Sequence, residues 1–147
     1  MDITHFSQRM TELLPQLIRG SARQEHNSLT RGEITLPQLS AMECLARHGA
    51  RPMNEIAREL GISRPAATGL INRLIAQQLA KREHDTRDRR IVRVTITPKG
   101  RRMVANIWTQ KRRTLVRVFG QIAPHERAQY LKTLERVVAI LSQPAAR

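Results

Sequence analysis

Three features of the 147-residue chain predict a mainly α-helical fold that carries one small β-wing. Apolar residues recur at helical spacing over much of its length. The stretch from Asn54 to Arg73 reads as two short helices joined by a glycine-containing turn. Two strand-like runs, Ala80 to His84 and Ile91 to Thr97, bracket a charged tip, Asp85-Thr-Arg-Asp-Arg-Arg90. Together they predict a winged helix-turn-helix with further helices on both sides.

The elements follow in order. Ile3, Phe6, Met10, Leu13, Leu14, Leu17 and Ile18 form an apolar stripe, predicting a first helix from residue 3 to about 27. Pro15 should kink that helix or mark a start. Residues 28–34 read as a loop. Thr35, Pro37 and Gln38 spell a capping box for a second helix, which runs to about His48 and is stopped by Gly49. Arg51-Pro-Met is placed to supply a short third strand beside the wing. Asn54 to Leu60 is a short helix with Ile56, Ala57 and Leu60 turned inward, and Gly61-Ile62 makes the tight corner after it.

The next helix has the most informative surface. Ser63 suits an N-cap, and Pro65 falls in the first turn, where its missing N–H costs nothing. Ala67, Leu70, Ile71 and Leu74 define a buried face. Arg64, Ala66, Thr68, Gly69, Asn72 and Arg73 fall on the other side, with no acid among them. Arginine can pair two-pronged with guanine and asparagine with adenine, and threonine can touch a thymine methyl. A glycine inside a helix costs about 1 kcal/mol against alanine, so Gly69 reads as a point of close approach. A solvated face explains such a helix equally well in isolation; the helix before it and the wing after it favour the groove.

In the wing, Val92, Val94 and Ile96 alternate with Ile91, Arg93, Thr95 and Thr97. Arg87, Arg89 and Arg90 outnumber the acids at its tip, and a narrow minor groove attracts inserted arginine. Asp88 is placed to brace a neighbouring guanidinium. Thr97-Pro98 opens a long helix to about Phe119, interrupted by the polar run Thr109 to Arg113 and ended by Gly120. Pro124 opens a last helix carrying Ala128, Leu131, Leu134, Val137, Val138 and Leu141, and the tail from Gln143 to Arg147 should be loose.

Charge supports the same partner. The net charge of +14 is distributed as zero over residues 1–50, +8 over 51–102 and +6 over 103–147. The excess begins with the helix-turn-helix, which points to nucleic acid ahead of a membrane surface. No apolar run is long enough to span a bilayer and no signal-peptide pattern opens the chain, so a cytoplasmic location is expected. The lone Cys44 sits in step with apolar neighbours and reads as core, with a redox sensor as the minority reading. The five histidines show no metal-ligand spacing, and no cofactor motif is present. Catalysis would need clustered carboxylates, a nucleophile–base pair or a phosphate loop; the close acid pair Asp85 and Asp88 lies among arginines.

The run from Asn54 to Met103 resembles the MarR family of bacterial transcription regulators. The resemblance rests on Glu55-Ile-Ala, Ile62-Ser-Arg, Leu70-Ile-Asn-Arg-Leu, the wing Asp85-x-Arg-Asp-Arg-Arg and Ile96-Thr-Pro-Lys-Gly100. Gly69 departs from that family, where a basic or polar residue is more usual. The resemblance implies DNA contacts from Ser63, Arg64, Pro65, Ala66, Thr68, Gly69, Asn72 and Arg73, and from Arg87, Asp88, Arg89 and Arg90 of the wing. It implies a homodimer on a pseudo-palindromic operator, joined by residues 1–34 and 100–147 around a DNA-binding part at 35–99. It also implies a repressor relieved by a small aromatic anion in a crevice, with Met42 and Trp108 among its walls. A basic architectural protein with little sequence preference is the alternative.

Overall fold

The computed structural model describes residues 1–143, so of the tail expectation only Gln143 falls within it. The described chain forms α1 (Ile3–Ala22), α2 (Leu36–His48), β1 (Arg51–Pro52), α3 (Met53–Leu60) and α4 (Arg64–Ala76). It continues through β2 (Ala80–His84), β3 (Val92–Ile96), α5 (Pro98–Phe119) and α6 (Pro124–Leu141). The fold is mainly α with a small β-wing, as expected, and its antiparallel sheet has the order β1-β3-β2. Register is set by Arg51 opposite Val94 at one edge and by Ala80 opposite Ile96 through His84 opposite Val92 at the other.

By its contacts the chain divides into two units, Met1–Lys111 and Arg112–Arg147. The core of the first unit lies where α2, α3, α4 and the sheet meet. Met42, Leu45, Ile56, Ile71, Leu74, Leu79, Val94 and Ile107 are fully buried there. Burying such side chains contributes about 1.5–3 kcal/mol apiece. Gly100 is required at the foot of α5. A Cβ on it would lie 2.3 Å from the Leu79 carbonyl oxygen and 2.8 Å from the Ile96 side chain.

The first helix differs from its sequence reading. It ends at Ala22 rather than near residue 27, and Pro15 sits inside it without ending it. The chain leaves the helix early because side chains of the following loop capture its backbone. Asn27 Oδ1 accepts from the Leu29 and Thr30 amides, and the Thr30 hydroxyl donates to the Glu25 carbonyl. Glu25 is buried and pairs with Lys111 at 2.9 Å. No residue of α1 is buried, and Phe6, Leu13, Leu14 and Leu17 lie open to solvent.

The second unit is described by itself. In it the Phe119 and Tyr130 rings meet at 5.3 Å, and Glu126 accepts from the Ala123 amide at the start of α6. No residue of α6 is buried, and Leu131, Leu134, Val137, Val138 and Leu141 are exposed. Among the described residues no helix is long and apolar enough to cross a membrane.

Candidate nucleic-acid interface

The helix-turn-helix corner forms for local reasons. Gly61 takes the left-handed conformation, φ 64°, that ends α3, and the Ile62 amide bonds back to the Ala57 carbonyl at 3.0 Å. Ser63 then caps α4, its hydroxyl accepting from the Ala66 amide at 3.3 Å. Ala67, Leu70, Ile71 and Leu74 are all buried, so the apolar stripe fixes which way α4 turns. Arg64, Pro65, Ala66, Asn72 and Arg73 are exposed, while Thr68 and Gly69 are half-buried.

That outer surface is partly pre-committed. The Thr68 hydroxyl donates to the Arg64 carbonyl at 2.9 Å, within the helix. Asn72 Oδ1 accepts from Arg82 on β2 at 2.6 Å, a bond between the helix and the wing. Nothing among the described residues lies within 4 Å of the Cβ that Gly69 lacks, so none of them makes the close approach suggested by its glycine.

The turn after α4 fixes its other end. Gln78 holds a positive φ of 60°, and Thr97 Oγ1 donates to its carbonyl at 2.7 Å. Lys99 donates to the Gln77 carbonyl, and the Gln77 side chain meets Gln38 at 3.0 Å. The capping residue of α2, the turn after α4 and the start of α5 therefore share one hydrogen-bonded junction.

The wing tip is held by charge. Asp85 accepts from the Arg87 amide at 2.7 Å, the Asp88 amide at 3.3 Å and Arg93 Nε at 2.6 Å. Arg93, then the two amides, hold the Asp85 carboxyl below its ordinary range. Asp88 Oδ1 accepts from the Arg90 amide at 3.0 Å and from Arg90 Nε at 3.3 Å. The Arg90 side chain is nevertheless 92% exposed, and Arg87 and Arg89 are exposed beside it. His84 adds a bond from its ring to the Arg89 carbonyl at 2.9 Å. Sequence reasoning passed over Arg82, Asp85 and Arg93 as parts of this interface. The alternation of β2, which puts Arg82 on the same side as buried Ala80, was the available signal for the first of them.

A shallow groove of about 360 Å³ opens between α2 and α5, lined by Glu43, Ala46, Arg47, Val104 and Trp108. Trp108 Nε1 donates to Glu43. Met42 does not line this groove; it is fully buried in the core, one residue out of phase with Glu43 on α2. Cys44 is also buried, and burial first, then the Glu59 carboxylate, push its thiol up to about 11. Such a thiol is held away from the thiolate form that oxidant sensing uses, which favours the core reading of Cys44 over the redox one. Burial alone would raise the Glu59 carboxyl, but Cys44, His48, Arg51 and Arg47 outweigh it and hold it low. Among the described residues no group of His, Cys, Asp or Glu is arranged to hold a metal ion.

Residues 34–92 match the MarR family. The HTH-type transcriptional regulator YfiV of Bacillus subtilis is 28% identical over 95 residues, covering 65% of this chain and 59% of YfiV. The HTH-type transcriptional repressor MdtR, also of B. subtilis, is 32% identical over 73 residues, which are 50% of this chain and 47% of MdtR. The chain thus spans only about half the length of these relatives. Two solved structures align along nearly the whole chain. Rv1404 of Mycobacterium tuberculosis is 24% identical with a TM-score of 0.78, over 100% of this chain and 99% of that one. BpsR of Bordetella bronchiseptica, whose DNA binding is regulated by 6-hydroxynicotinic acid, is 27% identical with a TM-score of 0.63, over 91% and 96%.

Proposed function

We propose that this chain, whose residues 34–92 match the MarR family, is a regulator of that family, a homodimer that binds a pseudo-palindromic DNA operator. The observation that carries this reading is the acid-free outer face of α4 beside a wing whose Arg90 is braced yet exposed. The α4 residues Arg64, Thr68, Asn72 and Arg73 lie against major-groove edges, where all base pairs differ. Arg90 enters the adjacent minor groove, drawn by its negative potential.

Dimerisation uses the exposed apolar stripes of α1 and α6, which have no burial within the described chain. A two-fold dimer presents its recognition helices to half-sites about 10 base pairs apart. Repression, the activity named for MdtR, is the sign of regulation proposed here. Release is assigned to a small aromatic anion in the groove beside Trp108, with Arg47 supplying the cation. The ligand named for BpsR, itself an aromatic acid, supports that chemistry.

Selection of bound sequences from random duplex DNA tests the central part. An enriched inverted repeat is expected. A pool that remains random would contradict the reading and favour the architectural alternative, which is driven by charge alone. For the ligand, aromatic acids should quench Trp108 fluorescence and weaken operator binding together, since a ligand shifts the equilibrium only by preferring one state. Unchanged operator affinity across a panel of such acids would remove the effector and leave DNA binding untouched.

A further inference from the structure

We propose that Arg82 is a specificity-determining residue of the DNA interface, because it holds Asn72 in a donor-only presentation toward the bases. The inference rests on the DNA-binding reading above and goes beyond it. Arg82 lies on β2, two residues from buried Ala80, and strand alternation turns it toward α4. Its Nη2 reaches Asn72 Oδ1 at 2.6 Å, across the angle between the recognition helix and the wing. Both residues are exposed. Among the described residues Arg82 makes no ion pair, since the neighbouring Glu83 pairs with Lys81 at 2.5 Å.

This bond fixes the asparagine's orientation on chemical grounds. Arginine carries donors only, so the atom facing it must be the amide oxygen, and the –NH₂ group is the end left over. Two-pronged adenine recognition needs the oxygen to accept from adenine N6 while the nitrogen donates to N7. The oxygen keeps a second lone pair; in this reading the guanidinium lies on its base-facing side, which leaves Asn72 its hydrogens to offer the base. The matching major-groove edges are acceptors: N7 and O6 of guanine, or O4 of thymine. Arg82 therefore replaces the adenine preference of a free asparagine by a preference for guanine or thymine at the same position. It acts through Asn72 and needs no base contact of its own.

Selection from random duplex DNA, run on the full chain and its variants, decides the matter. In the unsubstituted protein, the half-site position that loses its preference in Asn72→Ala should carry guanine or thymine. Arg82→Met keeps an aliphatic stem and frees the asparagine, so that position should move toward adenine by about tenfold, the discrimination of one good base contact. In the Asn72→Ala background, Arg82→Met should change nothing further at that position. Asn72→Asp keeps the bond to Arg82 but removes the donor. It should abolish the guanine-or-thymine preference by itself, and it serves if Arg82→Met melts early. Adenine at the Asn72-dependent position in the unsubstituted protein overturns the inference. So does an Arg82→Met profile unchanged in base preference and lowered at all sites alike, because Arg82 is then a phosphate contact. An Asn72→Ala profile with no altered position overturns it as well. If the unsubstituted protein enriches no sequence at all, the sequence-specific operator reading falls and this inference falls with it.

Discussion

The recognition helix and the wing lie side by side, yet opposite forces hold them. Ala67, Leu70, Ile71 and Leu74 seat α4 in the core at 7% exposure or less. The wing tip has no such anchor: it hangs on Asp85 and Asp88, whose partners are backbone amides and the guanidiniums of Arg93 and Arg90. Apolar packing is close to indifferent to salt, whereas exposed ion pairs are screened. The comparison teaches that base reading and backbone anchoring can be perturbed separately, one through the core and the other through charge.

The largest effects come from unseating α4. Ile71→Ala should destabilise the fold by about 2–5 kcal/mol, as for other fully buried aliphatic truncations. Gly100→Ala forces a methyl group into the Leu79 carbonyl and should cost about 1–3 kcal/mol. Denaturant titration checks both. Equal midpoints for either variant and the unsubstituted protein would mean that this junction is softer than its distances imply.

Removing charge from the wing comes next. Arg90→Ala should weaken binding at most sites by about tenfold and reduce the salt slope by about one, as for a single lost charge contact, with base preference kept. Its stability should be unchanged, because the side chain is exposed. A loss confined to one base position would break the division of labour between helix and wing.

Titration should separate the core from the wing at opposite ends of the pH scale. The Cys44 thiol, raised from 9.0 to about 11 by burial, favours the folded state in its neutral form. Its contribution is complete below pH 9 and is lost as pH rises toward 11, so alkali loosens the packing beneath α2 and α3. The Asp85 carboxyl is lowered below its ordinary 3.8, chiefly by Arg93. Its contribution is complete above that value and is lost as pH falls through the depressed one, so acid loosens the wing. Thiol labelling at pH 8 and backbone exchange of the Arg87 and Asp88 amides report the two ends. Rapid labelling of folded protein at pH 8 would contradict the first.

The smallest expected effect belongs to Asp88→Ala. It removes an acid from a basic tip yet should still weaken operator binding by about two- to threefold, because an unbraced Arg90 must be ordered on docking. Tighter binding at both low and high salt would favour a purely electrostatic wing.

Much of this was legible in the sequence because the deciding signals were local. The Thr35–Gln38 capping box, the Ser63 cap, the four-residue buried face of α4 and the hairpin alternation each follow from spacing within one turn or strand. The errors arose where distant residues decide. The first helix was read five residues too long because the Asn27 and Glu25 bonds that end it draw on the loop and on Lys111. Met42 is expected at the groove and lies in the core instead, because the phase of α2 against α5 turns Glu43 to the groove. Asp85 looked like half of an acid pair, since its partner Arg93 sits across the hairpin. Arg82 and Asn72, ten residues apart, meet only once β2 packs beside α4.

The claim that charge aims the wing while packing seats the helix is tested most directly by Asp85→Ala, with melting temperature and operator affinity measured on the same preparation. This change removes three bonds at the tip and nothing from the core. The melting temperature should stay within about 2 °C of the unsubstituted protein, no more than the shift of about 2–4 °C that a loss of 1 kcal/mol brings in a chain of this size. Operator affinity should fall about tenfold, although the protein has gained positive charge. A fall of many degrees would show the wing to be part of the cooperative core, and tighter DNA binding would show that charge alone, and not its aim, governs the interface.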